Sequence, residues 1–133
     1  MVFYEDFSRV YDQVMDQELY EQWLDFTKRH LPKETKSVFE LACGSGALSV
    51  RLAQEGYKVT GLDISEYAVS QAEANARLNG LQDTVHFRCA NVLDELPKLA
   101  AAGEKYDVVI LDPPAFTKSR EATKNAIKGY REI

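Results

Sequence analysis

Residues 37–63 read SVFELACGSGALSVRLAQEGYKVTGLD. Val38, Phe39, Leu41 and Ala42 form a short apolar run suited to a buried strand. Gly44 and Gly46 follow, and glycine lets a chain turn sharply while its backbone comes close to a ligand. From Ala47 onward Leu48, Val50, Leu52 and Ala53 start a helix, whose first N–H groups have no intrahelical acceptor and favour an anionic group. A second apolar run, GYKVTGLD, closes on Asp63. Strand, glycine turn, helix, strand and acid in that order make one half of a nucleotide-binding α/β unit.

The acid and the glycine spacing narrow the ligand. A carboxylate at the end of the second strand can accept two hydrogen bonds from a ribose diol, each charge-assisted bond contributing roughly 1.5–3 kcal/mol. An adenosine-like sugar is therefore expected at Asp63. The G-x-G-x-x-G fingerprint of dinucleotide sites fits poorly: with its middle glycine on Gly44, Ala42 and Ala47 take the outer places, and with its first on Gly44, Ser49 takes the third. Glu40, near the end of the first strand, would oppose a pyrophosphate and favour a cation. S-adenosylmethionine, with a sulfonium, an ammonium and a carboxylate, suits that mixture, and a nicotinamide dinucleotide is the alternative.

ELACGSG followed by GLDIS resembles the first two motifs of class I S-adenosylmethionine-dependent methyltransferases. The resemblance implies a three-layer α/β, Rossmann-like methyltransferase fold with a parallel sheet of order 3-2-1-4. It places Glu40, Ala42, Gly44 and Gly46 around the methionine end, Asp63 on the ribose, and Ile64 at the edge of the adenine pocket. The departure is Ala42, where the family more often has glycine; alanine is expected to be tolerated there if φ stays negative.

Composition sets wide bounds. With 133 residues, 45% hydrophobic and 28% charged, the chain is expected to be one soluble domain with a single core. No apolar run reaches membrane-spanning length, and the N-terminus lacks a basic region followed by an apolar one. Cys43 and Cys89 have no CxxC spacing, so reduced thiols in the cytoplasm are expected and a metal site is not. A net charge of −5 argues against broad attraction to nucleic acid. The tail qualifies this, since Lys118, Arg120, Lys124, Lys128 and Arg131 outnumber Glu121 and Glu132.

Residues 1–31 read as two short amphipathic helices, the second with Leu19, Trp23, Phe26 and Leu31 on its apolar face. YEDFSRVYDQVMDQELYEQWLDF resembles the N-terminal cap of small class I methyltransferases, which makes Tyr4, Phe7 and Tyr11 candidates for covering the sulfonium or lining an acceptor pocket. An α/β core is expected over residues 37–133. Ser65 reads as the cap of a helix that ends at Asn79-Gly80-Leu81. Residues 84–90 read as a third strand with an unexceptional His86. Asn91 and Val92 then stand where this fold often contacts adenine, through a side-chain oxygen and a backbone N–H. A helix over residues 93–102 should hold Pro97 in or near its first turn, and residues 106–111, YDVVIL, read as a fourth strand apolar on both faces.

LDPPAFTKS with NAIKGYREI resembles the fourth motif of ribosomal RNA cytosine-C5 methyltransferases, and implies that Asp112 and Pro113 wall a target-base pocket beside the methyl group and that RNA is a possible substrate. That family's cysteine nucleophile lies after a fifth strand, beyond the residues present here, and neither Cys43 nor Cys89 is placed to replace it. The halves thus resemble two branches of one superfamily, joined near residues 74–81, as in a shortened or recombined chain, and a noncatalytic cofactor-binding fragment is the rival to an active enzyme. Order 3-2-1-4 also leaves YDVVIL on an edge, so a dimer or strand exchange through Val108–Leu111 is expected, or else a covering helix.

Overall fold

In a computed structural model the protein is described over residues 17–111 and at Arg131. The elements are α1 (Gln17–His30), β1 (Ser37–Leu41), α2 (Ala47–Gln54), β2 (Lys58–Asp63), α3 (Glu66–Leu78), β3 (Val85–Cys89), α4 (Val92–Ala101) and β4 (Val108–Leu111). The four strands are parallel in the order β3-β2-β1-β4. Their carboxyl ends lie level: Leu41 pairs with Leu62 and Leu111, and Asp63 with Cys89.

Strand alternation splits the core in two. Val38, Val59 and Val85 pack with Leu24 of α1, Leu52 and Ala53 of α2 and Ala76 of α3 on one face. Phe39, Leu41 and Leu62 pack with Leu99 of α4 on the other, where the Phe39 ring stacks on Tyr106 at 4.6 Å between centroids. Crossovers between parallel strands keep one hand. The chain steps β1 to β2 to β3 in one direction with α2 and α3 on one face, and the return to β4 reverses direction and puts α4 on the opposite face. That reversal opens a crevice at the carboxyl ends of β1 and β4, the usual ligand position in such sheets.

The helix caps follow the sequence. Ser65 Oγ accepts from Ala68 N at 3.2 Å to start α3. At its end Gly80, with φ of 67°, lets Leu81 N donate to Ala76 O and Gly80 N to Arg77 O, which satisfies two of the last carbonyls. α3 crosses residues 74–78 without interruption, so the junction between the two resemblances leaves no break in the structure.

Four expectations are corrected. Ala42 has φ of 60°, not a negative value; with Gly44 and Gly46 it makes every second residue from 42 to 46 left-handed, and that alternation curls the chain from strand to helix. An L-residue pays about 1–2 kcal/mol for this conformation. Ala42→Gly should therefore raise stability by about 0.5–1 kcal/mol after the looser unfolded chain is counted, seen as a higher urea midpoint. Second, α1 buries Tyr20 and Leu24, while Trp23 and Phe26 are exposed, because the face turned to α2 is one residue round from the aromatic one. Third, Pro97 lies in the middle of α4 (Val92–Ala101) rather than near its first turn, where it deletes the hydrogen bond that residue 97 would give to the Leu93 carbonyl. Finally, β4 is not doubly buried: Val109 and Leu111 are 53% and 46% exposed, since α4 covers β1 and β2 but not the edge.

At the opposite end of the sheet Asp107 accepts from Lys36 N at 2.8 Å and Ser37 N at 2.9 Å, while its own N–H donates to Ser37 Oγ. These two backbone donors hold its carboxyl below the usual aspartate range. A lowered folded value stabilises the fold above the unfolded value of about 3.9 and is lost as pH falls through the folded one. Asp107→Ala should melt below the parent at neutral pH, and the gap should close under acid, in paired thermal melts.

Candidate functional site

β1 delivers Glu40, the turn delivers Gly44 and Gly46, and β2 delivers Asp63 to one end of the sheet. Asp63 is 7% exposed, and its two oxygens are held separately: Oδ2 accepts from Gly44 N and Oδ1 from Ser65 N, both at 2.9 Å. One carboxylate thus ties the glycine turn to the start of the α3 turn. Glu40 is 8% exposed and accepts from Ser49 Oγ of α2. The turn also holds the buried Cys43, whose thiol is pushed well above its ordinary value by burial and then by the charges of Glu40 and Asp63. A thiol held protonated in this way is a poor nucleophile.

The two glycines do different work. Among the described residues, a side chain at Gly44 would meet nothing within 4 Å. At Gly46 a Cβ would come within 2.8 Å of the Phe87 ring and 3.0 Å of Ala72 Cβ, and at Gly61 within 2.7 Å of Phe87 and 3.0 Å of Cys43 Sγ. Phe87 of β3 therefore lies across both glycines and sets the depth of the turn against the sheet.

Beyond Asp63 the apolar Ile64 is 63% exposed at the mouth of the crevice. Asn91 caps α4, its Oδ1 accepting from Leu93 N at 2.9 Å. The Val92 N–H belongs to the first turn of α4 and has no intrahelical acceptor. Cys89 is exposed at the end of β3, with its thiol raised by burial and by Glu66 and Asp63. Glu40, Ala42, Gly44, Gly46, Asp63, Ile64, Asn91 and Val92 are thus gathered at the carboxyl ends of the strands. Tyr4, Phe7 and Tyr11 of the N-terminal segment, and Asp112 and Pro113, lie outside the described residues.

Sequence reading missed Ser49 and Phe87. The signals were there: a serine on the apolar face of α2, and a glycine inside β2, where a missing side chain commonly marks a close approach. A second hollow, of about 360 Å³, runs along the helical face past Gln17, Tyr20, Arg51, Gln54, Asn75 and Asn79. Its polar groups satisfy one another: Arg51 bonds Glu21, Gln17 and Ala47 O, Gln54 bonds Asn79, and Asn75 bonds Ser45 O. Among the described residues no group of three or more His, Cys, Asp or Glu could hold a metal ion, and no helix is long and apolar enough to cross a membrane.

Parallel strands in the order β3-β2-β1-β4, a glycine turn after β1 and an acid closing β2 define a Rossmann-like fold of methyltransferase type. The chain belongs to the methyltransferase-domain family, whose model matches residues 32–130. A ribosomal RNA large subunit methyltransferase of Methanocaldococcus jannaschii, so named provisionally, is 43% identical over 102 residues, spanning 76% of this chain and 26% of that protein. Such an alignment must cross residues 74–81, so one relative carries both halves. The S-adenosylmethionine-dependent methyltransferase of Agrobacterium tumefaciens superposes with a TM-score of 0.63 at 25% identity, over 78% of this chain and 34% of that one. SMU.776, provisionally named a methyltransferase and solved with S-adenosylhomocysteine, gives 0.61 at 25% identity over 73% and 27%. The chain spans about a quarter of the curated relative's length.

Proposed function

We propose that this chain is the S-adenosylmethionine-binding part of a methyltransferase that acts on RNA. The observation that carries the reading is the Asp63 carboxylate, fixed by Gly44 N in the glycine turn, with a second buried acid, Glu40, delivered to the same end of the sheet. Two buried carboxylates at one end of the sheet suit a cationic ligand, and among the described residues nothing lies within 4 Å of a side chain placed at Gly44. When bound, the cofactor supplies an electrophilic methyl group on sulfur. Asp63 accepts from the ribose hydroxyls, Glu40 faces the methionine end with the turn at Ala42, Gly44 and Gly46, and Ile64 lies against one face of the adenine. Asn91 and the Val92 N–H read the adenine edge. Asp112 and Pro113, next after β4, are proposed to wall the acceptor pocket, and Tyr11 to close over the sulfonium.

RNA as the acceptor rests on the name of the 43% identical relative and on the basic residues 118–131; the cytoplasm, where both free cysteines stay reduced, is the proposed setting. Isothermal titration tests the cofactor: S-adenosylhomocysteine should bind one to one and NAD should not, and the reverse result would remove the reading. A dimer through Val108–Leu111 is part of the same proposal, since β4 has a partner on one side only among the described residues. Sedimentation showing a monomer at all concentrations would remove that part.

A further inference from the structure

Ser49 is fully buried in the first turn of α2, between Leu48 and Val50. Packing alone would favour alanine, which is the better helix former and buries no hydroxyl. The bond that explains a serine is the one to Glu40: Ser49 Oγ donates to Glu40 Oε2 across the boundary between helix and strand. A carboxylate offers about four acceptor positions, and the Ser49 bond occupies one of them from the helix side, which constrains the plane of Glu40. Glu40 is the penultimate residue of β1, paired with Gly61 and Ile110, two positions before the left-handed Ala42. Its side chain has three rotatable bonds, and this bond lowers the rotamer freedom left to lose on binding.

We infer that Ser49 is a positioning residue that aims Glu40 at the ammonium group of the cofactor's methionine end, an inference that rests on the cofactor reading given above. Neither residue touches the transferred methyl. The role therefore concerns affinity for one end of the ligand and leaves the nucleoside end untouched.

Two ligands separate these ends. S-adenosylhomocysteine carries the amino acid group, whereas 5′-methylthioadenosine has the same nucleoside and sulfur without it. In calorimetric titration Ser49→Ala should weaken S-adenosylhomocysteine about tenfold and leave 5′-methylthioadenosine within about twofold of the parent. Ser49→Cys, which keeps the volume and substitutes a weak donor, should show the same selective loss. In a Glu40→Gln background Ser49→Ala should cost much less, because the group it aims is already uncharged. Equal weakening of both ligands, or of neither, overturns the inference alone. A parent chain that binds neither ligand overturns the cofactor reading and this inference with it.

Discussion

Asp63→Ala should weaken S-adenosylhomocysteine binding by one to two powers of ten and lower stability by about 2–4 kcal/mol. The first figure follows from the ribose bonds, since charge-assisted bonds contribute roughly 1.5–3 kcal/mol and each 1.4 kcal/mol is tenfold in affinity. The second follows from the fold itself. Gly44 N and Ser65 N each donate to a different oxygen of this buried carboxylate, so alanine strands two backbone donors and unties the glycine turn from the α3 turn. Asp63→Asn is the sharper probe. An amide offers one acceptor oxygen and turns an NH2 group toward the other N–H, so it should recover little of the stability despite its matching shape. Titration and urea unfolding on the same preparations check both effects, and an asparagine variant as stable as the parent would show that the two donors do not need the carboxylate.

Gly61→Ala should cost about 1–3 kcal/mol, the range for forcing extra volume into a packed site. The new methyl would meet Phe87 at 2.7 Å and Cys43 Sγ at 3.0 Å. Gly61 carries no positive φ, so the penalty is steric and ought to be relieved by shrinking the ring. Phe87→Leu should be destabilising alone yet less so beside Gly61→Ala, giving a coupling energy of the order of 1 kcal/mol in a double-mutant cycle. Gly46→Ala combines the same ring, at 2.8 Å, with φ of 78°, so Phe87→Leu should rescue it only in part. Because Gly46 opens α2, its variants should also lose ligand affinity. Additive costs across the Gly61 cycle would show that the ring yields without effort.

Much of this fold was legible because its signals are local. Ser65 and the Asn79-Gly80-Leu81 turn specify their caps from a few residues, and the apolar runs specify strands whose order follows from crossover handedness. Signals that depend on neighbours were not legible. Trp23 and Phe26 outweigh Tyr20 and Leu24 in apolar character, but which stripe is buried depends on how α1 meets α2, where Tyr20 takes the Arg51 guanidinium over its ring at 5.1 Å. The β4 run reads as doubly buried from its own residues, and only the extent of α4 leaves Val109 and Leu111 open. Likewise the position of Glu40 and Asp63 at the ends of their strands was readable, while Ser49 and Phe87 acquire meaning only through a partner on another element.

Arg51 joins α1 to the first turn of α2. A single guanidinium is bonded to Glu21 and Gln17 of α1 and to the Ala47 carbonyl at the start of its own helix, and a second clasp joins Lys28 to Glu55. The two helices are therefore clasped at both ends of α2, beside Gly46 and at Glu55.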